Sequence, residues 1–124
     1  STRVRSSAAS DVYKRQDGNW LLPCGDAHYF MVIDRKTGKE LKRVTSQEIK
    51  GTALWFVAQI QELSNKNLLI CNWCGHTRGT VVDMPQLIEI DNEGKAVWTL
   101  NDKQNIGLVS AACYLKNFRL PDLK

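Results

Sequence analysis

The feature that most constrains this 124-residue chain is a recurrence of short apolar runs in a fixed order. Leu21-Leu22-Pro23-Cys24 returns as Leu68-Leu69-Ile70-Cys71, 47 residues on. Val32-Ile33-Asp34-Arg35-Lys36-Thr37-Gly38 returns as Glu89-Ile90-Asp91-Asn92-Glu93-Gly94, with the two glycines 56 apart. Phe56-Val57-Ala58 through Leu63 returns as Leu108-Val109-Ser110 through Leu115, 52 residues on. Chance produces one such match easily, but three in the same order far less so. The unequal offsets place an insertion in the later copy, between Trp73 and Gln86. A repeat of about 50 residues restricts the chain to stacked or radially arranged units.

Within each repeat the apolar runs are short and separated by turn residues, which is the pattern of β-strands. The expected strands are 19–24, 29–34, 39–44, 56–63, 67–73, 86–91, 95–100 and 108–115. Gly38 and Gly94 stand where a hairpin turn needs a positive φ, and Ser64-Asn65-Lys66 is a similar polar turn. No long window shows helical spacing. Four short strands per repeat of this length is the size of one β-propeller blade. The fold class expected is therefore all-β: a partial β-propeller of about two four-stranded antiparallel blades over residues 17–124.

The first 16 residues read differently. They are polar, have no apolar period and resemble translated sequencing-adaptor sequence, particularly Asp11-Val12-Tyr13-Lys14-Arg15-Gln16. A disordered or artefactual tail is expected over 1–16, and with it the loss of any signal peptide that preceded the domain. This tail carries most of the formal charge of +4, because Arg3, Arg5, Lys14 and Arg15 face Asp11 alone. The remainder holds 13 basic and 12 acidic side chains, so it gives no electrostatic case for nucleic acid. No apolar run approaches the ~18 residues of a membrane span. The segment 117–124 is read either as a natural end that closes a ring or as a truncation.

Val32 to Lys42 resembles the quinoprotein-like (PQQ-like) blade signature, in which A-x-D-x-x-T-G is followed by x-x-x-W. In that pattern the Asp opens the turn between the two outer strands, the Gly takes the positive φ, and the Trp packs between blades. The second copy keeps Asp91, Gly94 and Trp98 with a turn one residue shorter. The first keeps Asp34, Thr37 and Gly38 but has Lys42 at the Trp position. Asn67–Trp73 and Pro85–Ile90 are also similar to strands of uncharacterised bacterial propellers. The resemblance covers roughly residues 17–115 and is nearly silent about activity. It implies a bacterial, periplasmic or extracellular protein whose remaining blades are supplied by the parent propeller. It also implies that 56–63 and 108–115 are inner strands, and that 39–44 and 95–100 are outer ones. The loops 25–28, 45–55, 74–85 and 101–107 would then share one face.

Most chemistry-bearing residues fall on that face. Asp26, His28, Trp73, His76, Arg78 and Asp83 are the candidate ligand-binding set, since a His-Arg pair suits an anionic ligand. The plainer alternative is that they satisfy loop backbone groups, and that Trp20, Trp55, Trp73 and Trp98 pack the blades. Cys71-Asn72-Trp73-Cys74-Gly75-His76 departs from covalent haem attachment, because Gly75 breaks the Cys-x-x-Cys-His spacing. Zinc on Cys71, Cys74 and His76, completed by Cys24 or His28, is the weaker alternative to buried structural thiols. A disulfide among the four cysteines is a further alternative. A quinone-dependent dehydrogenase is disfavoured by the absence of a Cys-Cys pair. The expected function is a non-enzymatic ligand- or protein-binding scaffold, without catalytic residues or cofactor. The alternative is an arylsulfotransferase- or lyase-like enzyme that uses His28 or His76 at the channel mouth.

Overall fold

The computed structural model describes residues 12–75, 83–113 and 115. Eight strands form two four-stranded antiparallel sheets, each in plain chain order. The first contains β1 (Tyr13–Lys14), β2 (Trp20–Pro23), β3 (Tyr29–Ile33) and β4 (Glu40–Thr45). The second contains β5 (Phe56–Glu62), β6 (Leu68–Trp73), β7 (Leu87–Ile90) and β8 (Ala96–Leu100). A one-turn 3-10 helix at Ser46–Glu48 opens the link between the sheets. A four-residue helix, α1 (Lys103–Ile106), follows β8 and is capped by the Asp102 side chain. The fold is thus all-β, with two blade-like sheets and no closed barrel among the described residues.

The repeat is visible in the hairpins. Asp34 Oδ1 accepts from the amides of Lys36 (2.7 Å) and Thr37 (3.0 Å), and Gly38 takes φ 72°. Asp91 Oδ1 accepts from those of Glu93 (2.9 Å) and Lys95 (3.0 Å), and Gly94 takes φ 79°. These amide bonds hold both carboxyls below the usual aspartate range. Each hairpin then carries an irregularity at the same place, between Val32 and Ile33 and between Glu89 and Ile90. Lys42 opposite Val32 and Trp98 opposite Glu89 are therefore structurally equivalent positions.

The core lies between the sheets. Leu21, Phe30, Val32 and Val44 come from one face of the first sheet, while Val57, Ile60, Ile70, Ile88 and Ile90 come from the second. Ile49 and Leu54 close it from the link. Val57 and Ile60, three apart, would face opposite ways in a regular strand. The register shift between Val57 and Gln59 inserts Ala58 and turns both inward. Fully burying such a side chain contributes about 1.5–3 kcal/mol, so this seam is the main source of stability.

The faces away from the seam differ. On the first sheet Arg43 lies 4.5 Å over the Tyr29 ring and is held by Glu40 at 2.8 Å. On the second sheet the ladder equivalents of Leu21, Phe30, Lys42 and Val44 are Leu69, Leu87, Trp98 and Leu100. Trp98 is 47 % exposed there. Leu21, Phe30 and Val44 are buried in the first sheet, whereas Leu69, Leu87 and Leu100 are half-buried on its copy.

Two expectations are corrected. The tail expected over 1–16 does not reach residue 16, because Tyr13–Lys14 pairs with Trp20–Leu21 as the first strand. The Tyr13 hydroxyl donates to the Glu62 carbonyl at 3.1 Å. Arg15 and the Gln16 amide meet the Glu62 carboxylate, whose side chain is only 3 % exposed, at 3.0 Å and 2.9 Å. The strand expected over 108–115 does not form among its described residues. Alternating apolar residues make a strand only where a neighbour completes the ladder, and no described segment pairs with it. The Ala112 amide in this segment donates to Gln59 Oε1 at 2.8 Å. The other seven expected strands form, each within one residue of its expected ends.

Candidate functional site

The connections after β2, β4, β6 and β8 meet at one end of the two sheets, and hydrogen bonds tie them together. Gly25, at φ 48°, exchanges both backbone bonds with Val57, at 3.1 Å and 3.3 Å, and so joins the β2–β3 turn to β5. The turn closes through bonds from Ala27 to Cys24 and from His28 to Gly25. His28 adopts φ 60°, an uncommon conformation for a residue with a side chain. It is held there by Trp55. Nδ1–H of His28 donates to the Trp55 carbonyl at 2.7 Å, and the two rings stack 4.6 Å apart. A carbonyl can only accept, so Nδ1 carries the proton of this bond.

Two buried amides organise the rest. Asn72, at zero exposure, accepts from the Trp55 amide at 2.6 Å and donates to the carbonyls of Pro85 (3.1 Å) and Ala53 (3.4 Å). Gln86, also fully buried, accepts from the Asp102 amide at 2.6 Å and donates to the carbonyls of Asp102 and Gly107. A single side chain thus fixes each inter-strand loop to the next. Neither residue was singled out by spacing or motif. The available signal was a polar amide inside the otherwise apolar run Leu68–Trp73, and another directly before Leu87.

The candidate binding residues divide over this frame. Trp73 ends β6 and meets Phe56 edge-on at 5.2 Å. With His28 on Trp55, the end therefore presents two ring pairs joined through the Trp55–Phe56 peptide. Asp26 is exposed on the β2–β3 turn. Asp83 is exposed elsewhere on this end, with Asn101 Nδ2 at 3.4 Å and Lys103 Nζ at 4.0 Å. His76 and Arg78 lie outside the described residues. The structure therefore joins His28 and Trp73 through the ring pairs and sets Asp83 against the α1 side.

The thiols have separate partners. Cys71, in β6, donates to Gln59 Oε1 at 3.6 Å, whereas Cys74 donates to the carbonyls of Asn72 (3.3 Å) and Met84 (3.5 Å). Burial raises the Cys74 thiol above its ordinary value, against the pull of Lys103. It does the same at Cys24, against Arg43. Both are therefore thiols rather than thiolates near neutral pH, which disfavours nucleophilic chemistry. Among the described residues no disulfide joins the cysteines, and no three His, Cys, Asp or Glu side chains converge to hold a metal. What this end offers is flat aromatic area edged by hydrogen-bonding groups, suited to stacking against a ligand or partner.

No family model and no curated protein matches the chain. A solved structure does: a protein of unknown function from Bacteroides caccae, 44% identical, with a TM-score of 0.74. The match covers 80% of this chain but 36% of that one, so the chain spans about a third of that protein's length. The chain is thus similar in sequence and fold to part of a larger bacterial protein.

Proposed function

We propose that the chain is about two blades of a quinoprotein-like, extracytoplasmic β-propeller that binds a ligand or protein partner without catalysing a reaction. Its loop end is the recognition surface, with His28, Trp55, Phe56 and Trp73 as the stacking elements and Asp26 at the edge. The further blades of the parent propeller are its first structural partner. The observation that carries this reading is the way Asn72 and Gln86 fix three loops into one frame, to which His28 ties the β2–β3 turn. Rigid loops on a sheet scaffold are a common way to present a binding surface. The repeat equivalence of Trp98 with Lys42 supports the blade reading.

The test is a panel of immobilised oligosaccharides and peptides probed with the chain and with its His28→Ala and Trp73→Ala variants. Saturable binding to one class, lost in both variants while their thermal midpoints stay close to the parent's, supports the proposal. Unchanged binding in both variants, or no binding to any member, contradicts it.

A further inference from the structure

Each of the two faces that meet at the seam recurs on the outside of the other sheet. Leu68–Ile90 and Ile70–Ile88 are seam-facing ladder pairs of the second sheet, and their equivalents in the first are Trp20–Ile33 and Leu22–Met31. Side chains alternate along a strand, so with Leu21, Phe30 and Val32 in the core these four lie on the opposite face. Conversely, the core residues Leu21, Phe30 and Val44, with Lys42 as the ladder partner of Val32, have Leu69, Leu87, Leu100 and Trp98 as equivalents. The two outer faces are therefore of opposite type, as the two seam faces are. The segment 108–115 meets the second sheet at Gln59 of β5, the edge strand opposite the one that carries Trp98.

Charge follows the same exchange. At the seam, Lys42 shares a cavity of about 300 Å³ with Asp91 and Glu93 of the β7–β8 turn. In the second sheet Trp98 stands in place of that lysine, and in the first the equivalent turn carries Arg35 and Lys36, both exposed. This turn also borders a hollow of about 380 Å³, together with Asp17 and Asn19 of the β1–β2 turn. A cation beside an acidic turn at the seam thus has, as its outer counterpart, an indole ring and a basic turn. A guanidinium or ammonium over an indole face is attractive. Arg43 also belongs to the Trp20 face, but it is already paired with Glu40.

From this correspondence we infer that the chain assembles head to tail with a second copy of itself. The face of Leu69, Leu87, Trp98 and Leu100 receives the Trp20, Leu22, Met31 and Ile33 face of the next copy. The existing seam is the template, so the contact repeats an interface that the fold already makes. A two-fold pairing of second sheets would instead set a face against its own type, for which the seam gives no precedent. A head-to-tail contact leaves one free face at each end, so association continues beyond a dimer. The inference rests on the equivalence of the two sheets, and it does not depend on the loop end binding anything.

The test is light scattering on size-exclusion fractions of the full chain and of two variants, one for each face. Trp98→Glu blocks the second-sheet face and Met31→Glu the first-sheet face. The parent is expected to self-associate as concentration rises, and each variant alone to associate about tenfold or more weakly. An equimolar mixture of the two variants is expected to form a dimer and stop there, because each supplies the face that the other lacks. Arg35→Glu combined with Lys36→Glu, on an exposed turn, replaces Met31→Glu in the mixture if that variant folds poorly. The inference is overturned by a monomeric parent, by a variant that self-associates as the parent does, or by a mixture that stays monomeric. A two-fold contact through the second sheet is recognised by Met31→Glu dimerising on its own, which also overturns it.

Discussion

Asn72 accepts a 2.6 Å hydrogen bond from the Trp55 backbone amide, and this one bond couples β6 to the loop that carries the His28–Trp55 stack. The same side chain donates to Ala53 and Pro85, so removing it strands three partly buried backbone groups at once. Each unsatisfied buried group costs about 1–3 kcal/mol. Asn72→Ala is therefore expected to lower stability by roughly 2–4 kcal/mol, read as a fall in the urea midpoint. Asn72→Asp is expected to be no better, since a carboxylate cannot donate to the two carbonyls and adds a buried charge. A midpoint unchanged in both variants contradicts the clasp.

The two hairpin glycines are expected to differ in their tolerance of alanine. Both have positive φ, which costs an L-residue about 1–2 kcal/mol. At Gly38 an added Cβ meets nothing within 4 Å, whereas at Gly94 it lies 2.8 Å from the Glu48 carbonyl oxygen. That carbonyl belongs to the backbone of the inter-sheet link and cannot simply rotate away. Gly38→Ala should cost roughly the backbone penalty alone, about 1 kcal/mol, and Gly94→Ala clearly more. Equal thermal midpoints for the two variants would falsify the close approach.

Acid should loosen both hairpins. The Asp34 and Asp91 carboxyls are depressed by backbone amides, so the folded state holds them ionised at a pH where the unfolded chain begins to protonate. Their contribution is complete above the ordinary aspartate value of about 3.9 and is lost as pH falls through the lowered folded values. Paired Asp34→Asn and Asp91→Asn substitutions keep an amide-accepting oxygen without the titration. The parent's thermal midpoint should fall more steeply below about pH 4 than that of the double variant. Parallel curves would show that the turns do not sense acid.

Arg15 neutralises a carboxylate that is almost wholly buried, and removing it leaves Glu62 charged with only the Gln16 amide and its own strand around it. Arg15→Ala should therefore destabilise more than Glu62→Gln, which removes the charge together with the ion pair. Denaturant midpoints in the reverse order would mean that β1 contributes little to the first sheet.

Much of this fold could be read from the chain because turn chemistry and period-2 alternation are local. Asp34, Gly38, Asp91 and Gly94 act within their own hairpins, so their spacing was sufficient. Tyr13–Lys14 was not legible because a two-residue strand has no period. Its place is set by Glu62, 46 to 49 residues away. The segment 108–115 lacks a ladder partner among the described residues, which no local pattern can supply. At the loop end, His28 and Trp73 were singled out by residue type, whereas Asn72 and Gln86 were not. A buried amide is meaningful only through partners brought together by the fold, and the apolar runs around these two concealed them. The Lys42–Trp98 equivalence was visible in the repeat, but the cavity beside Lys42 required three dimensions.

The central claim is that these are two blade-like sheets, with the half-buried Leu69, Leu87 and Leu100 and the exposed Trp98 on the uncovered face of the second. The most direct test is sedimentation velocity of the 124-residue chain over a range of concentrations, alongside its Trp98→Glu variant. The expected result is concentration-dependent self-association of the parent, reduced in the variant without loss of β-sheet signal. A parent chain that stays monomeric at every concentration and unfolds in one cooperative thermal transition would contradict it.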